Sequence, residues 1–189
     1  GVDLERFRPG RRSADQRPFT IGYVGRLTPE KNVRLLVEIE SALERECDGD
    51  YRFVLVGEGS ESGWLKSKMR HADLRGVLRG EALAEAFANM DVFVFPSETD
   101  TFGLVILEAM ASGVPVVVAR GGGPQFQVNE GENGFVVGDV TGFAAALLRL
   151  KSDRALQSRM GASARQHACE NSWNGVFDQV YESYDQFLF

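Results

Sequence analysis

Two cations and two carboxylates stand where apolar runs give way to turns and helices. Gly25-Arg26-Leu27-Thr28-Pro29-Glu30-Lys31-Asn32 follows the apolar run Phe19 to Val24. Gly25 permits close backbone approach, Arg26 can fork to phosphate oxygens, and Lys31 adds a point charge. Cations at a helix start oppose its macrodipole, so an anion such as a diphosphate is expected beside them, against the plainer reading of ordinary surface cations. Further on, Asp100 lies in the polar stretch Ser97 to Thr101, and Glu108 lies in the apolar run Leu104 to Ala111. Seven residues separate the two, which makes one a turn residue and the other a helix residue. A carboxylate is a natural acceptor for a pair of hydroxyls, so Glu108 suits a ribose and Asp100 a second sugar. The plainer alternatives are a turn residue and a solvated helix position. Leu107 and Ala109 on either side of Glu108 argue against solvation.

The elements that must position these groups follow from the pattern. Val92 to Phe95 has the length of a buried strand, and Pro96 suits a chain leaving a sheet. Gly103 precedes the helical run Leu104 to Ala111, Gly113 stands as its stop, and Val116 to Val118 begins a further strand. This βαβ unit places a helix start at the carboxyl end of a parallel strand, where ligands bind in open α/β sheets and where free N–H groups favour a phosphate. Phe19 to Val24 is the first strand. A helix capped by Thr28, with Pro29 in its first position, should follow, with Val33, Leu36, Ile39 and Leu43 inward and Glu38, Ser41 and Glu44 outward. Arg52 to Val56 is the second strand, ending in Gly57-Glu58-Gly59-Ser60. That is a weak G-x-G match with Ser62 in the third glycine's place, and it reads equally as a tight turn or a ligand-lining loop. A helix ending near His71 comes next, and His71 reads as a surface residue. Val77 to Glu81 reads as a short strand and turn, and Leu83 to Met90 as a helix. Ala119 to Pro124 is a glycine-rich loop, and Asn133 to Val137 enters a last strand. Three helices close the chain, marked by Phe143, Leu147 and Leu150, by Leu156, Met160 and Ala164, and by the aromatic stripe from Trp173 to Phe187. The expected class is α/β: a Rossmann-like open parallel sheet with helices on both faces.

The 189 residues suit one α/β domain with a real core. A hydrophobic fraction of 43% and a charged fraction of 25% are ordinary for globular proteins. The net charge of −6, with scattered Lys and Arg, gives no footprint for nucleic acid. No apolar run approaches a membrane span, and no signal-peptide pattern is present. Cys47 and Cys169 lack metal-ligand spacing and read as reduced thiols of a cytoplasmic protein. Gly10 to Pro18 is polar and aperiodic and reads as a flexible, solvated loop, despite its three arginines.

Pro96-Ser97, Asp100-Thr101-Phe102-Gly103-Leu104 and Leu107-Glu108-Ala109-Met110-Ala111-Ser112-Gly113-Val114-Pro115 together resemble the donor-site motif of a large glycosyltransferase family. Its members are retaining, nucleotide-sugar-dependent enzymes of the two-Rossmann-domain (GT-B) type. The family pattern has two glutamates with seven residues between them. Glu108 matches the second, and Asp100 replaces the first with a carboxylate one methylene shorter. The resemblance implies that Arg26 and Lys31 hold the donor diphosphate beside Gly25, that Glu108 holds the ribose, and that Asp100 meets the transferred sugar. Thr101, Phe102, Gly103 and Leu104 would line the donor. Gly57 would contribute if its turn lines the site, and Arg79 and Gly80 if theirs packs against the nucleobase. No metal and no further cofactor are implied, only a UDP-, GDP- or ADP-linked sugar as substrate. Gly1 to Pro9 is similar to the segment that opens the family's second domain. The expected layout is therefore a linker at 1–18, the donor-binding domain at 19–170, and at 171–189 a helix bracing an amino-terminal half that supplies the acceptor site and any membrane contact. A nucleotide-binding module without transfer activity, or an epimerase of the same fold, is the alternative.

Overall fold

In the computed structural model, residues 1–9, 18–47 and 49–173 are described. Six strands form a single parallel sheet: β1 (Phe19–Val24), β2 (Tyr51–Val56), β3 (Ala72–Leu74), β4 (Val92–Phe95), β5 (Val116–Ala119) and β6 (Gly134–Val137). The order across the sheet is β3-β2-β1-β4-β5-β6, and every pairing is parallel. β1, β4 and β5 are buried at every position. That is why they read as unbroken apolar runs instead of alternating ones: helices cover both faces of a parallel sheet.

The helices are α1 (Leu35–Glu46), α2 (Ser62–Lys68), α3 (Gly80–Ala88), α4 (Leu104–Ala111), α5 (Val140–Ser152) and α6 (Arg154–Glu170). α1 packs beside α5, while α4 packs against α6 and α3. Asp91, almost wholly buried between β1 and α6, accepts from the Thr20 N–H at 2.9 Å and from Gln157 Nε2 at 3.0 Å. Glu40 is likewise buried, and its carboxylate accepts from the N–H groups of Arg70 and His71 as a β-strand neighbour would.

Three expectations shift. The helix expected from Thr28 is interrupted. Pro29–Lys31 forms a 3-10 turn, Asn32 adopts a left-handed conformation at φ 52°, and α1 starts only at Leu35. Thr28 makes no side-chain cap to a backbone N–H, and its buried hydroxyl faces the Glu30 carboxylate instead. The third strand lies at Ala72–Leu74, half-buried at the sheet edge, whereas Val77 and Leu78 belong to an irregular segment and α3 already begins at Gly80. The loop 10–17 and the aromatic stripe beyond Trp173 lie outside the described residues.

Candidate active site

The order of strands reverses between β1 and β4, and the turns leaving these two strands lie side by side. Thr99 Oγ1 donates to the Glu30 carbonyl at 3.0 Å, and Asn32 Nδ2 donates to the Pro96 carbonyl at 3.4 Å. The turn after β2 joins them, because Leu27 N–H donates to Glu58 O at 3.0 Å and Glu61 N–H to Leu27 O at 2.9 Å. Three turns therefore meet at the carboxyl edge of the sheet, at the switch point where open α/β sheets bind their ligands.

Lys31 and Asp100 come from two of those turns and meet there, Nζ to Oδ1 at 2.5 Å, with both side chains largely buried. Burial works against the Asp100 carboxylate. The Lys31 ammonium and the Ser97 hydroxyl beside it outweigh that penalty, with a smaller pull from Arg26, and hold the carboxyl below its ordinary range. Asp100 Oδ2 is buried with no hydrogen-bond partner of ordinary geometry, and so are Ser97 Oγ and Thr28 Oγ1. Ser97 Oγ faces Asp100 and Thr28 Oγ1 faces Glu30, so these buried oxygens in adjoining turns have neighbours but no well-formed bonds, which is uncommon. Lys31 Nζ carries three hydrogens, so one bond to Asp100 leaves donors to spare.

Arg26 is exposed and pairs loosely with Glu30 at 3.4 Å. Such a pair contributes little and yields readily to a stronger anion. The anion expected beside these cations is thus partly the protein's own: Glu30 stands beside Arg26, and Asp100 beside Lys31. The Arg26 carbonyl accepts from the Tyr23 hydroxyl at 3.0 Å, which ties the turn back to β1.

α4 begins at Leu104 behind Gly103, whose φ of 74° places it in the left-handed region open to glycine. Glu108 lies half-buried on this helix between the buried Leu107 and Ala109. Burial pushes its carboxyl up to about 7, with only a modest opposing pull from Arg6. Among the described residues no hydrogen bond or ion pair holds this carboxylate. Its partial burial separates it from a fully solvated helix position.

The remaining candidates divide. Thr101 and Phe102 are exposed in the turn, and Leu104 is exposed at the helix start. Gly57 is a packing residue, since a Cβ there would stand 1.9 Å from the Gly25 carbonyl oxygen. Arg79 is exposed at the N-cap of α3, and Gly80 opens that helix with open space around it. The glycine run after β5 packs directly on the β4–α4 turn. Gly123 N–H donates to Asp100 O at 2.8 Å, and a Cβ on Gly123 would stand 1.6 Å from Thr101 O. His71, partly exposed, lies tilted against the Tyr51 ring and faces Glu44 at 3.8 Å. Cys47 and Cys169 are unpaired. Among the described residues no group of three or more His, Cys, Asp or Glu side chains converges, and no described helix is long and apolar enough to cross a membrane.

Gln127 went unnoticed in the sequence. It is buried on the 3-10 turn Pro124–Gln127, and its Nε2 donates to the Phe102 carbonyl. Asn133, fully buried, donates to the Gln127 carbonyl at 3.4 Å. A polar residue between Phe126 and Val128 carries no spacing signal that separates such a role from loop polarity.

An open parallel sheet with helices on both faces, whose turns converge at its switch point, defines a Rossmann-like α/β protein. Residues 18–153 match the family "Glycosyl transferases group 1", and the chain belongs to that family. It is 37% identical to the GDP-mannose-dependent alpha-mannosyltransferase of Corynebacterium glutamicum, over 97% of this chain and 43% of the relative. It is 38% identical to the protein of the same description from Mycolicibacterium smegmatis, over 100% of this chain and 50% of the relative. The chain thus spans about half the length of the curated relatives it matches. Its fold superposes on the C-terminal domain of a glycosyl transferase group 1 family protein from Francisella tularensis with a TM-score of 0.77 and 23% identity. That match covers 89% of this chain and 97% of the other.

Proposed function

We propose that this chain is the donor-binding domain of a retaining, metal-independent, cytoplasmic glycosyltransferase that moves a sugar from a nucleotide diphosphate to an acceptor hydroxyl. The observation that carries the reading is the Lys31–Asp100 pair at the switch point, with Ser97 Oγ facing Asp100 and Thr28 Oγ1 facing Glu30 in buried positions without well-formed hydrogen bonds. Such a group can accept hydroxyls and bind phosphate together. Lys31 would use its spare hydrogens on the diphosphate, and Arg26 would leave Glu30 to do the same. The N–H groups at the start of α4 would add their dipole. Asp100 Oδ2 would accept a hydroxyl of the transferred sugar, and Glu108 would accept the ribose hydroxyls. In the reaction the bond from the anomeric carbon to the phosphate oxygen breaks, a bond to the acceptor oxygen forms on the same face, and the acceptor's hydroxyl proton passes to the departing phosphate oxygen. The two cations and the helix start favour the charge that develops on the departing diphosphate.

The acceptor side would come from a preceding half, with residues 1–18 as the link and 171–189 as a brace. GDP is the diphosphate to expect first, because two relatives near this identity are GDP-mannose-dependent. Calorimetric titration of the intact protein with GDP, UDP and ADP tests the reading, repeated on Lys31→Ala and Glu108→Ala. Binding of one diphosphate, weakened by both substitutions, supports it. Binding of none at millimolar concentration overturns it. An NMR assignment of the product's anomeric configuration and an assay in excess chelator test the retaining and metal-independent parts.

A further inference from the structure

We propose that Gln127 is a positioning residue of the donor site: its side-chain amide holds the Thr101–Gly103 turn and thereby aims the start of α4. The inference rests on the donor-site reading above for its consequence, although the contact itself does not.

The β4–α4 turn is gripped at successive carbonyls by the loop that follows β5. Asp100 O accepts from Gly123 N–H at 2.8 Å. Thr101 O lies so close to Gly123 that no side chain fits between them. Phe102 O accepts from Gln127 Nε2. Only the NH2 end of an amide can face a carbonyl, so the orientation of Gln127 is settled by that contact. Its Oε1 is buried without a partner, which leaves the Phe102 bond as what holds the amide in place. The backbone beneath it is pinned in turn by Asn133, whose Oδ1 accepts from Asn129 N–H at 2.9 Å and whose Nδ2 donates to Gln127 O.

The consequence follows from peptide geometry. In a trans peptide the carbonyl oxygen and the next N–H point in opposite directions. The Phe102–Gly103 peptide is trans. With its oxygen held by Gln127, the Gly103 N–H is turned away from the clasp, and the left-handed Gly103 then starts α4 in a set direction. Released from Gln127, this peptide plane could rotate, because glycine tolerates either sense of φ. The N–H groups that would face a phosphate, and Asp100 two residues before, would lose their fixed aim without any change to a group that touches the ligand. Gln127 also lines a hollow of about 290 Å³ with Phe102, Leu107, Phe126 and His167, so a leucine has room to replace it.

The experiment compares Gln127→Leu and Gln127→Glu with the unmodified intact protein by hydrogen–deuterium exchange and by diphosphate titration. Without ligand, exchange in the peptide covering 101–105 should rise at least about tenfold in Gln127→Leu while the β-strands keep their protection. The diphosphate Kd should rise by about tenfold, the loss of one buried hydrogen bond's worth of order. Gln127→Glu can donate only when protonated, so its affinity relative to the unmodified protein should recover as pH falls toward 5. A general loss of stability would not produce that recovery. Unchanged exchange at 101–105 overturns the proposal. It is also overturned if Val114→Ala, a core change away from the clasp, weakens binding equally at equal loss of Tm. If the unmodified protein binds no diphosphate, the donor-site reading fails, and the exchange arm still decides whether Gln127 holds the turn.

Discussion

Lys31 and Asp100 form the buried ion pair of the site, and their effects are separable from the fold because both are single side chains on adjoining turns. Lys31→Ala leaves a largely buried carboxylate without its counter-charge, and should cost about 1–3 kcal/mol in chemical denaturation. The double variant Lys31→Ala with Asp100→Ala should be less destabilised than the sum of the two single ones, and a double-mutant cycle measures the difference. Because the Asp100 carboxyl lies below its ordinary value, its contribution is present at neutral pH and disappears in acid. Glu108 behaves in the opposite sense. Its ordinary value is 4.5 and burial raises it to about 7. The folded state therefore holds a proton that the unfolded chain has already lost, and stability falls as pH rises through this interval and levels off above it. Glu108→Gln should remove that slope in Tm measured from pH 4.5 to 7.5. Since a ribose would be held by the charged form, diphosphate affinity should rise over the same interval in the native protein relative to the glutamine variant. All four charged candidates stand out in the sequence by type and place. The Lys31–Asp100 pair does not, because its members lie 69 residues apart and only the adjacency of β1 and β4 brings them together.

The turns between the strands and helices are as constrained as the strands. Gly123 has an ordinary helical φ of −72°, so its smallness matters for space alone. Gly123→Ala would drive a methyl into Thr101 O, displace the β4–α4 turn, and cost about 1–3 kcal/mol. It should weaken diphosphate binding more than an equally destabilising core change, a comparison made by thermal melts beside titrations. Where an element is marked by strong local signals, its bounds were readable: α4 runs from Leu104 to Ala111 between two glycines, as its pattern suggests. Where tertiary position decides, they were not. Ala72–Leu74 is a strand because it pairs with β2 at the sheet edge, while Val77 and Leu78 look more strand-like and are not one. Asn32 breaks the expected first helix by entering the left-handed region, which asparagine adopts more readily than most residues, a signal that the apolar spacing overshadowed.

Across the whole molecule, the parallel sheet explains why the site could be located at all. Every strand end that faces the same way delivers its turn to one edge, so motifs far apart in sequence converge without any direct signal. One residue ties the outer parts of the chain together. Arg165 on α6 donates through Nη1 to Phe7 O at 2.7 Å and to Ala111 O at 2.6 Å, and through Nη2 to Leu4 O at 3.4 Å. Its charge faces the last carbonyls of α4, where a cation is favoured. Arg165→Ala should cost about 2–3 kcal/mol in denaturant unfolding and expose the segment 1–9 to limited proteolysis. That grip has a mechanical side. The helix bearing Glu108 is anchored at its far end by the same guanidinium that anchors the amino-terminal segment. A tug on that segment is therefore transmitted along a rigid rod to the turn where a phosphate would rest, and the carboxylate proposed for the ribose rides on the rod between them.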